Sequence, residues 1–296
     1  MIKARTILLS AAAALATTAF ATATTLVAPA AASAATTGAP ALPAPLPPGL
    51  APAPLAAPLG TEQVHSEQVG TYNWSGYALT GGSFHGVIDT WQVPKVDTAL
   101  SGSQYSADWV GIGGWEEGTL VQAGTEADNL TGTASYSAWT EILPAAEDPL
   151  SLAIHPGDTI TTSVEEISKN TWEMKVDDET THQSQERTVP YSGSNHASAE
   201  AIHERPCIAD GCESVADLAT LTDTANVTFD PGKYSTKARK KPTKALLKPS
   251  RKQTLHQVFM VNNKGSAVIA SPSLPDSALE GFTVAYGSTS PPPPSS

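Results

Sequence analysis

Apolar and polar residues alternate with a period of two along most of the chain from Tyr72 onward. The alternation is clear in FHGVIDTWQV (84–93) and in ASYSAWTEIL (134–143), and turn residues separate such segments. This pattern predicts strands with one buried face. Many short strands between Gly, Pro, Asp and Asn turns are typical of an antiparallel sandwich. We therefore predict an all-β fold. Residues 212–221 are the one segment whose pattern could instead form a helix.

The predicted strands follow one another at short intervals. Segments 160–167 and 171–177 are expected to pair across a turn at 168–170, where Ser, Lys and Asn interrupt the alternation. The other predicted strands are 73–80, 84–93, 108–115, 120–122, 134–143, 197–203, 226–229, 257–262 and 282–286.

The first 34 residues have the pattern of a secretory signal peptide. Lys3 and Arg5 precede an apolar run at 7–20, and Ala-Ser-Ala at 32–34 fits a cleavage site. The Ala-rich character indicates bacterial export, so we expect a secreted protein. Since no second apolar span follows, we expect no membrane helix in the mature chain. An uncleaved N-terminal anchor is the alternative.

The remaining chain divides by composition into three parts. Residues 35–69 form an Ala/Pro-rich linker or pro-segment, which cannot build a core of its own. Residues 70–288 are long enough for one undivided β-sandwich domain. Residues 289–296 form a flexible Pro/Ser tail. We expect this protein to be a monomer.

Charge is concentrated in one segment of an otherwise acidic chain. The chain has 17 basic and 29 acidic residues, and nine of the basic residues lie in 231–252, which contains no acid. Tyr234 is the only aromatic residue of this basic loop, which is poor provision for stacking bases. We therefore expect no nucleic-acid partner, and either a solvated loop or one that contacts an anionic cell-surface polymer.

Cys207 and Cys212 are the only two cysteines. In an exported protein, two cysteines this close are expected to form a disulfide that closes a small turn. A metal or redox pair is the alternative, but ligands at suitable spacings are missing from the sequence.

The segment SAEAIHERP (198–206) contains an acid among small residues. As a strand it projects Ser198, Glu200 and Ile202 to one face, and burying a carboxylate there is costly. As a helix, the same region would place His196, Glu200 and His203 on one side, where they could bind a metal. Pro206 limits such a helix to about ten residues, which is a marginal length. No Gly-x-Ser-x-Gly, HExxH or Cys/His nucleophile signature is present.

The chain resembles the glutamic peptidases of the eqolisin family. The resemblance extends in order over about 210 residues, and no single segment carries it. The matching segments are NWSGY (73–77), ADWVGIGG (107–114), LVQAG (120–124), YSAWTEILP (136–144), IHPGDTITTSVE (154–165), SAEAIHERP (198–206), NVTF (226–229) and the closing FMVNNKG and FTVAYG segments.

The resemblance implies a secreted acid endopeptidase on a lectin-like (concanavalin-like) sandwich of two antiparallel sheets. It assigns Gln122 and Glu200 as the catalytic dyad, which acts on polypeptide substrates without a metal or cofactor. A glutamate can serve as base for water, and a glutamine amide can stabilise the tetrahedral oxyanion. Trp109 and Trp139 are implied as residues that line the substrate cleft, although core packing explains them equally well. Glu141 is implied as a polar residue near the site, with a surface acid as the alternative.

Three positions differ from the family pattern: Gly113 and Ser137 stand where the family carries acids, and Ala201 where it carries an aromatic residue. These differences raise the alternative of a catalytically impaired relative. A carbohydrate-binding module is the rival from another class, because lectin-like sandwiches carry sugar sites as readily as proteases. A structural cell-surface protein held by the basic loop is a third possibility.

Overall fold

The computed structural model describes residues 44–45, 65–115, 118–206, 216–219, 221 and 226–295. Within these ranges every regular element is a strand, which confirms the all-β prediction. The strands are β1 (Ala44–Pro45), β2 (His65–Thr71), β3 (Trp74–Thr80), β4 (Gly86–Gln92), β5 (Ser103–Gln104), β6 (Ala107–Gly113), β7 (Leu120–Leu130), β8 (Thr133–Ile142), β9 (Asp148–Leu150), β10 (Thr159–Ser168), β11 (Thr171–Asp178), β12 (Gln183–Pro190), β13 (Ser198–Glu204), β14 (Asn226–Phe229), β15 (Lys233–Ser235), β16 (Lys244–Ala245), β17 (Thr254–Val261), β18 (Val268–Pro272) and β19 (Phe282–Tyr286).

The strands form two layers. The first sheet has the order β9-β8-β7-β6-β13-β3-β17-β2-β1. The second sheet has the order β12-β11-β10-β4, and it continues from β4 through β14 to β19 and β18. The pairing of β17 with β18 connects the two layers. Every pair is antiparallel except β2 and β17, which run parallel.

The core lies between the two sheets. From the first sheet, Val110, Ile112 and Val121 project into it, and Trp91 and Val164 meet them from the second sheet. These side chains are at most 2% exposed. Burial of each such side chain contributes about 1.5–3 kcal/mol to folding. The first sheet therefore has one face committed to the core, and we call its opposite face the site face.

Strand β13 occupies a central position in the first sheet, between β6 and β3. Its Ala199 and Ala201 point into the core, whereas Ile202 packs in a second cluster on the site face. The alternation predicted for SAEAIHERP is thus confirmed. The segment is a strand and not a helix.

Several strands were not apparent from the sequence pattern. Strand β12 is an edge strand with mostly exposed polar residues, so it shows no apolar alternation. Strand β1 falls within residues 35–69, the segment that the composition assigns to a linker or pro-segment, and β2 begins in this segment and extends to Thr71. The basic loop contributes β15 and β16, which pair with each other.

Some predictions concern residues outside the described ranges. The signal peptide (1–34) and the Cys207–Cys212 disulfide are among them. The possible helix at 212–221 is described only at 216–219 and 221, where Leu218 and Leu221 make isolated β-bridges. Across the described chain, no helix has the length and apolar character needed to span a membrane.

Candidate active site

Gln122 and Glu200 lie on different strands, and each is directly opposite Gly111. On β7, Gln122 is the register partner of Gly111 of β6, and Glu200 of β13 is the partner of the same glycine from the other side. Residues directly opposite one another in a sheet project to the same face. Two inter-strand spacings place their Cα atoms about 10 Å apart. Both predicted dyad residues therefore project from the site face with only a glycine between them.

Gly111 is required at this point for steric reasons. A Cβ atom there would lie 2.7 Å from Cδ1 of Leu120 and 2.9 Å from the Trp109 ring. It would also lie 3.3 Å from Cβ of Gln122. Because Gly111 has no side chain, the space between Gln122 and Glu200 is open to the long side chains of those two residues.

A second glycine separates the two predicted cleft tryptophans. Gly124 of β7 is opposite Trp109 of β6 and opposite Trp139 of β8. A Cβ at Gly124 would lie 2.6 Å from Cβ of Trp109. Both tryptophans belong to the apolar cluster of the site face, and they are 0% and 5% exposed. They thus pack beside the dyad and form the buried floor of this face.

Glu200 is a fully buried acid without a compensating partner. It is 0% exposed, and neither carboxyl oxygen has a hydrogen-bond partner among the described residues. Burial raises the pKa of Glu200 well above the ordinary glutamate value, and the nearby Ser198 hydroxyl only partly opposes this rise. When ionised, this carboxylate is a stronger base than an exposed glutamate, because burial disfavours its charge.

Gln122 is held by Glu141, its partner on β8. The two residues are directly opposite in the register, and Nε2 of Gln122 donates a hydrogen bond to Oε2 of Glu141. Oε1 of Gln122 is buried and has no partner among the described residues. Burial raises the pKa of Glu141 to about 8. The hydrogen bond from Gln122 lowers this pKa, but by less than burial raises it. The sequence left two interpretations of Glu141, a site residue or a surface acid, and the structure shows that its side chain contacts Gln122.

A partly buried acid, Glu204, holds Trp109 and Asn73 by hydrogen bonds. Glu204 of β13 accepts a hydrogen bond of 2.7 Å from Nε1 of Trp109 and one of 2.9 Å from Nδ2 of Asn73. Burial raises the pKa of Glu204 to about 7, although these hydrogen bonds lower it. Trp74 packs edge-to-face on Trp109, with ring centroids 5.1 Å apart. Glu204 was not singled out from the sequence, and Trp74 was considered only as one of six tryptophans that could stack on a sugar.

Beyond Glu200, the same register line continues to a histidine. Ala78 of β3 is opposite Glu200, and His256 of β17 is opposite Ala78. Nε2 of His256 lies 2.9 Å from Oγ1 of Thr80, and Trp115 stacks on its ring at 4.3 Å between centroids. Burial lowers the pKa of His256. His256 was not singled out from the sequence, because its position beside this line depends on a strand pairing across 178 residues of chain.

The three positions that differ from the family pattern have distinct surroundings. Ala201 points into the core, on the face away from Glu200. Gly113 has a φ of +91°, a backbone conformation that favours glycine, and its Cβ position is blocked by the carbonyl oxygen of Thr119. Oγ of Ser137 donates to Glu126, which is itself buried on β7.

The alternative metal set from the sequence does not assemble. His203 points to the core side of β13, where Nδ1 lies 2.8 Å from Oδ1 of Asp108. His196 lies before β13 and contacts Glu166 of β10. Glu200 projects from the site face, away from His203. A strand sends alternate residues to opposite faces, and this excludes a shared site for Glu200 and His203.

Residues 72–273 match the model of the Peptidase A4 family, and the chain therefore belongs to that family. The resemblance found in the sequence is thereby confirmed. Among curated proteins, the chain is similar to Aspergillopepsin-2 of Aspergillus niger, with 30% identity over 178 residues. These residues are 53% of this chain and 62% of that relative, so the match spans less than two thirds of the relative.

Two solved structures share the fold. Scytalido-glutamic peptidase with a peptide-based transition state analog gives a TM-score of 0.57 at 23% identity, over 73% of this chain and 98% of that one. SCP-B, a member of the Eqolisin family of peptidases in a complex with the tripeptide Ala-Ile-His, gives a TM-score of 0.54 at 22% identity. This match also covers 73% of this chain and 98% of that one. The similarity confirms the predicted β-sandwich.

Proposed function

We propose that the chain is a secreted acid endopeptidase that hydrolyses peptide bonds with Gln122 and Glu200 as its catalytic dyad. The observation that carries the proposal is the position of these two residues on either side of Gly111, on one face of one sheet. Membership of the Peptidase A4 family supports the reaction class.

Glu200 serves as general base and then as general acid. Its ionised carboxylate takes a proton from the attacking water, and the resulting carboxylic acid returns that proton to the leaving amine. Because burial raises the pKa of Glu200, the ionised form requires a higher pH than an exposed glutamate would need. The acid limb of the pH–rate profile is therefore expected at a higher pH than an exposed glutamate would give.

Gln122 stabilises the oxyanion with the N–H groups of its amide, and Glu141 sets the orientation of that amide. When Glu141 is a carboxylate, it accepts from Nε2 and occupies one of the donors. When Glu141 is a neutral acid, its O–H can donate to Oε1 of Gln122, and both N–H groups then remain for the oxyanion. With a pKa raised to about 8, Glu141 is neutral over the weakly acidic range.

Export and processing complete the proposal. The leader pattern at 1–34 supports secretion, and the part of residues 35–69 that precedes β2 would then act as a pro-segment that covers the site until it is removed. The Cys207–Cys212 disulfide would form in the same oxidising compartment. Full activity of a purified chain that retains Ala35 at its N-terminus would contradict the role of the pro-segment.

The rival carbohydrate-binding function finds less support in the described residues. Stacking on a sugar ring needs an exposed aromatic face, whereas all six tryptophans are at most 5% exposed. The acids of the site face, Glu141, Glu200 and Glu204, fit proton transfer better than sugar binding, because their raised pKa values suit general acid–base chemistry.

A digestion assay tests the proposed function. The secreted protein is incubated with casein or denatured haemoglobin between pH 3 and pH 7, and the released peptides are identified by mass spectrometry. We expect internal cleavages that increase from pH 3 as Glu200 ionises, and none with the Glu200→Gln protein. Cleavage that is unchanged in Glu200→Gln would reject the dyad, and the absence of any peptide product would reject the peptidase function.

A further inference from the structure

Two histidines and one glutamate meet at a place that the proposed reaction does not use. Oε2 of Glu166, on β10, lies 2.5 Å from Nδ1 of His85 and 3.2 Å from Nε2 of His196. The two imidazole rings are 4.4 Å apart between centroids. One donor atom from each of the three residues lies within 4.8 Å of the other two. The three side chains thus converge on a common point.

The backbone holds these three residues in place independently of their side chains. The N–H of Glu166 donates to the carbonyl oxygen of His85, and the N–H of Phe84 donates to that of His196. The N–H of His85 donates to Ser235. The cluster therefore joins the loop before β4, the end of β10 and the segment that leads into β13, and its geometry is prepared before any ligand binds.

Outer contacts fix the orientation of each side chain. Oε1 of Glu166 accepts the backbone N–H of Asn170 at 2.7 Å, which leaves Oε2 for the cluster. Nε2 of His85 lies 3.1 Å from Oγ of Ser83, so that nitrogen can donate while Nδ1 acts as a ligand. Trp172 stacks on His196 at 5.3 Å between ring centroids. Metal-binding histidines characteristically carry such a second hydrogen bond, which orients the ring.

We propose that His85, Glu166 and His196 bind a divalent transition-metal ion of the zinc type. Two imidazole nitrogens and one carboxylate oxygen form a common zinc donor set, and bonds of about 2.0 Å in a tetrahedron separate donor atoms by about 3.3 Å. The 2.5 and 3.2 Å separations seen here need only small movements to match this geometry. The histidine side chains are 22% and 20% exposed, which gives a water molecule access as fourth ligand.

The site is separate from the proposed dyad and does not depend on the peptidase function. Its consequence is structural, because His196 lies four residues before Glu200 in the sequence. A bound ion would tie the segment before β13 to β10 and to the loop before β4. Ion binding to the folded state alone also raises the temperature of unfolding.

Metal titration of the secreted protein tests the proposal. After treatment with a chelator, the protein is titrated with zinc chloride by calorimetry at pH 7.5, and with cobalt chloride by visible absorption. We expect one ion per chain, a visible spectrum of nitrogen and oxygen ligands, and a higher melting temperature with zinc. His85→Asn and His196→Asn should each weaken binding at least tenfold. Asparagine is chosen because it tolerates the φ of +56° at position 196.

The controls separate this site from other sources of binding. His155→Asn removes an exposed histidine that also pairs with an acid, and it should leave binding unchanged. Glu166→Gln keeps an acceptor for Asn170 and removes the ligand charge, so it should weaken binding in a folded protein. The proposal is overturned if the wild type binds no zinc saturably, or if the His85 and His196 variants bind with wild-type affinity. A thiolate band in the cobalt spectrum would also overturn it, since the ion would then reside on Cys207 and Cys212.

Discussion

Gln122 and Glu200 are both register partners of Gly111, one from each neighbouring strand. Their separation along the chain is 78 residues, yet across the sheet it is two strands. In the proposed site this relationship gives the glycine a steric role, because a Cβ atom there would lie 3.3 Å from Cβ of Gln122. Substitutions at Gly111, Gln122 and Glu200 are therefore expected to change activity more than stability.

Gly111→Ala should impair the site more than the fold. The added Cβ meets Leu120 and Trp109 at 2.7 and 2.9 Å, and these are side-chain atoms that can shift. Overpacking of this kind typically costs about 1–3 kcal/mol. We expect kcat/KM to fall by at least about 10², because a misplaced catalytic group loses its alignment. Wild-type kcat/KM in a folded Gly111→Ala protein would show that the gap is dispensable.

Glu200→Gln should abolish turnover without loss of stability. The substitution removes a buried carboxyl group whose oxygens have no partner among the described residues, so no hydrogen bond of ordinary geometry is lost. Loss of a general base lowers the rate by about 10²–10⁴. Peptide cleavage and thermal unfolding are measured at pH 6, with Glu186→Gln on exposed strand β12 as the matched control. A variant that melts far below wild type would show that Glu200 has a structural role.

Substitutions of Gln122 should test the oxyanion role. Gln122→Ala removes the donor and should lower kcat by about 10²–10³, the usual effect of losing one oxyanion donor. Gln122→Glu should also cripple the enzyme, because a second acid replaces the neutral donor and faces Glu200 across Gly111. Steady-state kinetics with one peptide substrate compare the two. If Gln122→Ala changes KM alone, Gln122 contributes to ground-state binding only.

Glu141 should act as a positioning residue that sets the basic limb of the pH profile. In the wild type, activity is expected to fall as pH rises through about 8, where Glu141 ionises. Glu141→Gln retains a donor for Oε1 of Gln122 at every pH, so kcat should stay within about tenfold and the basic limb should disappear. Glu141→Ala retains no donor and should lower kcat throughout. A basic limb that persists in Glu141→Gln would assign that limb to another group.

The protein should be more stable at pH 4.5 than at pH 8. Burial raises the pKa of Glu204 and Asp128 to about 7 and that of Glu141 to about 8, whereas the unfolded chain has ordinary values. At pH values between the ordinary pKa of the unfolded chain and the raised pKa of the folded protein, the folded state binds more protons than the unfolded state. The free energy of unfolding therefore falls as pH rises through this window. The total effect is on the order of a few kcal/mol.

Thermal melts between pH 4.5 and pH 8 measure this dependence. Glu204→Gln should flatten it, because one of the contributing acids no longer titrates. Protonation of His256, whose pKa burial lowers, acts in the opposite direction and is removed by His256→Gln as a control. A melting temperature that rises with pH in this window would contradict the prediction.

Much of the fold was readable from the sequence, because the core imposes a period of two on the buried strands. The pairing of β10 with β11 was predicted with its turn, and it forms as expected. Edge strand β12 was missed, since its residues are exposed and carry no alternation. The pairing of β2 with β17 joins distant segments in parallel, and no local pattern marks such a contact.

For the site, the family resemblance supplied the residues and the expectation that Gln122 and Glu200 face one another, but not the strand register that relates them. Gln122 and Glu200 were named from their motifs, and Glu141 from its neighbouring motif. The contribution of Gly111 and Gly124 follows only from register, because a glycine within a strand has several explanations. The cluster around Glu166 was also unforeseen, since it unites residues 85, 166 and 196 from three segments.

The position of β13 between β3 and β6 has a consequence for biosynthesis. A ribosome that has released the chain only to residue 197 has supplied Gln122 and Gly111, but not the strand that carries the base. Until β13 inserts, β3 and β6 also lack their common neighbour. If Glu200 is the base, as proposed, a nascent or truncated chain that lacks β13 would be inert towards the proteins of the cell that makes it, and hydrolytic capacity would emerge only after this strand has joined the first sheet.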